Sequence, residues 1–183
     1  MIGWIIGGVA VIAIAAFVIT TYNTLVRLRN KVKNAFAQID TQLQRRFDLI
    51  PNLVETVKGF ATHEKELLEN VAASRSGYMN ASTNGEKMAM NNQLTSNLRS
   101  LFAVAESYPD LKANANFLQL QDELSETEDK VTYARQFYND AVTIYNDKIQ
   151  MFPGNLVAGI FGFREEELFN SDDAAKDAPR VQF

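Results

Sequence analysis

Between Asn34 and Phe60 the chain reads NAFAQIDTQLQRRFDLIPNLVETVKGF, and here amide, guanidinium and carboxylate groups crowd a helical pattern. Asn34, Gln38, Gln42, Arg45, Arg46, Asp48 and Asn52 follow one another within about five helical turns. Such groups hydrogen-bond and pair charges, so they build either a buried network or a recognition face. Arg46 is the most telling, because it stands in the sevenfold series Leu25, Val32, Ile39, Arg46, Leu53, Phe60, Leu67, where every other member is apolar. An arginine in that register lies at the edge of the seam or is buried with a partner. Asp48 cannot be that partner, since residues two apart on a helix point different ways. Tyr138, Asn139, Tyr145, Asn146 and Glu128, far along the chain, are candidates. One reading has these groups satisfy one another across a bundle and fix its register. The other makes them an exposed face for self-assembly or for a partner. The whole set spans too wide an arc to be buried in one seam, so some of it faces outward.

Recognisable catalytic patterns are lacking. There is no glycine-rich phosphate loop, no G-x-S-x-G turn and no H-E-x-x-H pair. His63 is the only histidine and there is no cysteine, which excludes thiol chemistry, a disulfide framework and a multi-histidine metal site. His63-Glu64 reads as a solvated helix face. Glu165, Glu166 and Glu167 point in different directions around a helix and do not converge on a cation. No enzyme activity, cofactor or metal is expected. The formal net charge of −4 is mild, but it is unevenly placed, with Arg27, Arg29, Lys31 and Lys33 early and Glu165 to Asp177 late. Nucleic-acid binding is not expected, because anionic lipid headgroups already account for the basic cluster.

The elements that position these residues begin with a membrane span. From Met1 to Val26 there is no charged side chain, and IGWIIGGVAVIAIAAFVI satisfies a bilayer core. Trp4 and Tyr22 bracket the run about 27 Å apart, which suits two interfacial aromatic anchors. A cleaved signal peptide is the rival reading, with small residues at Ala13-Ile14-Ala15; no positive charge precedes the run, however, and a helical pattern follows it directly. The basic residues just after the span place its far side in the cytoplasm and the N-terminus outside. Gly3 and Gly7 have a G-x-x-x-G spacing that lets two spans approach closely.

After Tyr22, Leu25, Leu28, Val32, Phe36, Ile39, Leu43, Phe47, Ile50, Val54 and Val57 recur every three or four residues. This predicts an amphipathic helix continuous with the span, running to about Met79. Pro51 lacks an N–H and its ring opposes the Phe47 carbonyl, so a kink is expected at Phe47 to Pro51 with that carbonyl left for water or a side chain. NASTNGE, residues 80 to 86, reads as a turn. A second helix is expected from about Glu86 to Ser107. A third carries Phe117, Leu124, Val131, Tyr138, Tyr145 and Phe152 at strict intervals of seven and ends at Pro153-Gly154. GNLVAGIFGF, residues 154 to 163, is too short to span and either caps the bundle, the commoner outcome, or rests on the bilayer.

YNTLVRLRNKVKNAFAQIDTQLQRRFDLIPNLVETVKGFATHE (22–64), RQFYNDAVTIYNDKIQMFP (135–153) and FGF (161–163) resemble the signature of the LemA family. The resemblance covers nearly the whole chain. It implies a bacterial inner-membrane protein with a helical bundle, of a group without an established activity that is often considered alongside membrane proteases.

The expected architecture is therefore all-α: a transmembrane helix (1–21) continuous with a long kinked helix in an antiparallel helical-bundle domain (22–163), and an acidic, loosely ordered tail (164–183). The expected protein is a single-pass scaffold of the bacterial cytoplasmic membrane that touches the lipid bilayer and forms homo-oligomers. The alternative is an adaptor or regulator of another membrane protein, such as a membrane protease. It would present PRVQF, in which Val181 and Phe183 are the docking side chains.

Overall fold

The computed structural model describes residues 2–61 and 63–169, and every regular element among them is a helix. In chain order these are α1 (Ile2–Asp48), α2 (Ile50–Lys58), α3 (Lys65–Asn80), α4 (Asn84–Ala105), α5 (Pro109–Lys112), α6 (Ala115–Gln150) and α7 (Gly154–Phe161). The N-terminal part of α1 is long and apolar enough to cross a membrane. Its side chains are exposed, Trp4 at 89 %. From Leu25 onward the same helix buries a stripe, Val32, Phe36, Ile39, Leu43 and Phe47. One unbroken helix thus serves two environments, as its change of pattern predicts.

At Pro51 the expected kink is a short break. Leu49 carries the turn, and α2 starts one residue on with Pro51 in its first turn, where a missing N–H leaves nothing unsatisfied. The Phe47 carbonyl, which would have received the amide of residue 51, accepts a bond from Arg75 Nε at 3.2 Å. A side chain from α3 has replaced the lost backbone donor.

The helix does not run on to Met79. α2 ends at Lys58, Gly59 and Phe60 form a turn, and α3 doubles back. The bond from Tyr78 to Asp40 and that from Arg75 to Phe47 show α3 antiparallel to α1. An apolar residue every three or four positions is equally what two antiparallel helices present to each other, so periodicity alone could not separate the cases.

The described residues fall into two compact units: residues up to Ala37 with Gln136–Leu168, and Gln38–Arg135 with Phe169. In the first, α1 and α6 run antiparallel, with Leu25 near Ile149 and the Phe36 ring edge-on to Tyr138 at 5.7 Å. In the second, α3 and α4 are antiparallel: Asn97 donates to the Asn70 carbonyl and to Ser74, while Lys87 lies over the Tyr78 ring. Thr83 and Glu86 form a capping box at the start of α4, which ends the 80 to 86 turn and satisfies its first amides.

α7 follows α6 after a tight turn. It closes at Gly162, whose φ of 70° is the left-handed conformation that favours glycine. Beyond it, residues 164–169 are held more firmly than a loosely ordered tail. Asn146 Nδ2 donates to the Glu166 carbonyl at 2.8 Å, and its Oδ1 accepts the Glu166 amide at 3.0 Å. Tyr138 donates to the Glu167 carbonyl at 2.9 Å. Val181 and Phe183 lie outside the described residues.

Candidate functional site

The stripe of α1 carries Arg46 inward because both its neighbours in the seam, Leu43 and Phe47, are buried and the helix has no freedom to rotate one of them out. Arg46 is 1 % exposed. Nη1 donates to Asn91 Oδ1 at 2.8 Å and to Thr95 Oγ1 at 2.9 Å, both on α4. Nη2 donates to Glu128 Oε2 on α6 at 3.2 Å. Burial pushes the guanidinium below its ordinary value, while the Glu128 charge opposes the shift. The Glu128 side chain is 42 % exposed. It borders a cavity of about 400 Å³ shared with Asp122, Ser125 and Phe102. The node ties three helices to one cation.

A second polar joint lies nearby in the same unit. Asp40 accepts from the Tyr78 hydroxyl at 2.8 Å and from Lys87 Nζ at 2.7 Å. Phe47 stacks on Tyr78 with centroids 4.2 Å apart. Burial first, and then the bond to Asp40, push the Tyr78 hydroxyl far above its usual value.

In the other unit, the FGF sequence wraps the point where the apolar run of α1 ends. The Tyr22 ring meets Phe161 at 4.8 Å and Phe163 at 5.6 Å. The Arg29 guanidinium sits 5.2 Å from the centre of Phe163. Val157 and Ala158 of α7 close on Leu25, with Val18, Ile149 and Phe163 packed around them. Of the basic cluster, Lys31 lies over Phe137 at 5.7 Å, and Arg27 and Lys33 are exposed.

The structure therefore sorts the sequence-selected residues. Arg46 alone among the crowded set of α1 is fully buried, and of its five proposed partners Glu128 is the one that reaches it. Asn34, Gln38, Arg45, Asp48 and Asn52 are exposed, and Gln42 is half-buried. Gln44 donates to Asp48 at 3.1 Å. Tyr138 and Asn146 hold the C-terminal strap, and Tyr145 is buried. Asn91, Thr95, Asp40 and Lys87 went unnoticed in the sequence. Asn91 left a signal: it begins the buried series Asn91, Leu94, Leu98, Leu101, Ala105, the same anomaly on α4 that Arg46 is on α1.

Comparison with known proteins agrees with the resemblance carried by these segments. The model of the LemA family matches residues 35–183. Protein LemA of Metamycoplasma hominis is 31 % identical over 137 residues, which cover 74 % of this chain and 63 % of that protein. Magnetosome protein MamQ 2 of Paramagnetospirillum magneticum is 25 % identical over 203 residues, or 97 % of this chain and 74 % of the relative. Magnetosome protein MamQ of Magnetospirillum gryphiswaldense is 22 % identical, with 94 % and 74 % covered. With its helical bundle and an N-terminal helix apolar and long enough to cross a membrane, this chain belongs to the LemA family.

Proposed function

We propose that the protein is a non-enzymatic, membrane-anchored helical scaffold that assembles with copies of itself. The observation that carries this is a polar stripe on the outer side of α1 and α2. Gln38, Thr41, Arg45, Asp48 and Asn52 recur at intervals of three, four, three and four, which is coiled-coil spacing, and all five are exposed. The stripe is rich in amides and poor in the lysine and glutamate that cover ordinary solvated helices. Its two charges are complementary one helical turn apart: in a second copy anchored in the same membrane, and therefore parallel, Arg45 of one chain lies diagonally across from Asp48 of the other, and the reverse, as a two-fold interface requires.

The absence of native cysteine makes the test direct. Arg45→Cys and Asp48→Cys chains, co-expressed and oxidised in native membranes, are expected to cross-link, whereas Tyr133→Cys, on an exposed position of α6, is not. Equal yields for stripe and control positions would remove the assembly reading. The same scaffold reading places the bundle in the cytoplasm of a bacterium with the N-terminus outside, on the strength of the four basic residues after the span. A reporter fused after Phe183 that works only outside the cytoplasm would reverse that topology.

A further inference from the structure

We infer that the outer face of α7, with Met151 and Phe152 just before it, is a lipid-contact surface seated at the headgroup–acyl boundary of the bilayer that α1 crosses. α7 has two sides. Val157 and Ala158 are buried against Leu25 and fix how the helix sits on α1. Leu156 and Ile160, four residues apart and so on one line, face away, with Ile160 77 % exposed. Phe152, 79 % exposed, and Met151 extend the same apolar surface. From Ile149 to Phe163 there is no ionisable side chain, and Lys148 and Arg164 stand at the two ends.

Two observations choose the occupant. The first is where α7 is docked: the α1 residues it and the following Phe163 touch are Val18, Tyr22, Leu25 and Arg29. Along that one face α1 passes from uncharged, lipid-suited residues to a guanidinium, over roughly 16 Å at 1.5 Å per residue. α7 is thus packed on the stretch of α1 where uncharged side chains give way to charged ones, and like the apolar run of α1 it exposes aliphatic side chains. The second is composition. An aromatic and aliphatic face with no charged residue, flanked by both signs (Asp147 and Lys148 before it, Arg164 and Glu165 after it), matches the apolar side that interfacial helices present to a bilayer. An eight-residue helix is too short to form or bind by itself, but α1 already holds this one folded, so contact with lipid needs no further ordering.

The experiment uses the full chain in vesicles of phosphatidylethanolamine and phosphatidylglycerol. Trp4 is the only tryptophan, so a Trp4→Phe background is dark. Ile160→Trp and, independently, Leu156→Trp are introduced, with Tyr133→Trp on α6 as the water-exposed reference. The expected result is blue-shifted emission from both α7 positions and quenching by bromine-labelled acyl chains several-fold stronger than for the reference. Water-like, unquenched emission from both would overturn the proposal. Blue-shifted emission that bromolipids do not quench would overturn it as well, because the face would then be covered by protein, such as a second copy.

Discussion

Replacing Arg46 by alanine should be among the most damaging single changes in the aqueous helices, and its cost can be built from the geometry. Asn91 is 4 % exposed, and with Nη1 gone its side-chain oxygen has lost a charged donor at 2.8 Å. A buried polar group left unsatisfied costs about 1–3 kcal/mol. Glu128 is half in water and recovers most of its solvation, so its share is small despite its charge, as for exposed pairs at about 0–1 kcal/mol. The buried aliphatic stem of Arg46 adds a packing loss of about 1–2 kcal/mol. Together these give about 2–6 kcal/mol, or about 4–24 °C in Tm for a chain of this size. The assay is thermal unfolding of the full chain in detergent followed by far-UV circular dichroism. A control separates the ion pair from the orphaned amide: Arg46→Met with Asn91→Leu fills the space with apolar atoms and leaves only Thr95 and Glu128, both part-exposed, to turn to water. It should recover most of the loss, because a buried charged cluster replaced by well-packed apolar residues is often neutral or stabilising. If Arg46→Ala melts within a degree or so of the parent, or if the double change is worse than Arg46→Ala alone, the node does not hold the helices together as described.

The C-terminal strap gives a second prediction. Asn146→Ala removes both bonds to the Glu166 backbone, worth about 1–2 kcal/mol, and amide exchange at Glu166 should quicken about tenfold. Tyr138 carries a pH dependence: burial first, and then the Glu166 and Glu167 carboxylates, push its hydroxyl up to about 12. A raised folded value means that this contribution is complete below the unfolded value of about 10 and is lost as pH rises from there toward about 12. Tyr138→Phe should therefore flatten the alkaline loss of stability seen by circular dichroism, and an unchanged slope would count against the assignment. Gly154→Ala should loosen the α6–α7 turn, because a Cβ there meets the Lys148 backbone carbonyl. The expected sign is a lower melting temperature with faster proteolysis between Gln150 and Phe161, and a neutral result would show that the turn has room.

What could be read from the sequence follows the range of each interaction. α6 was legible because its sevenfold aromatic and aliphatic series is local, and the continuity of span and stripe in α1 likewise needs only neighbouring residues. Arg46 announced itself as a polar intruder in an apolar register. Its partners did not, since Asn91 lies 45 residues away and nothing in a single helix says which face of another will meet it. The reversal after α2 was hidden for a related reason: the stripe continues in phase through Val57, Ala61 and Leu68, and only Gly59 hints at a turn. Asn146 looked like a register group and instead grips the backbone of a segment whose acidic sequence suggested disorder, because its bonds are to main-chain atoms that carry no side-chain signature.

The bond from Arg75 to the Phe47 carbonyl gives the break at Leu49 a mechanical character. A proline bend closed by its own helix would be permanent, whereas this one is latched from outside, by an arm on α3. Load that draws α3 away from α1 must unfasten the latch and bare a carbonyl, so the joint between α1 and α2 can only flex together with the hairpin that follows it. A pull on that hairpin is therefore felt, through Arg75 and through Tyr78 against Asp40 and Phe47, at the C-terminal end of the helix that continues from the membrane segment.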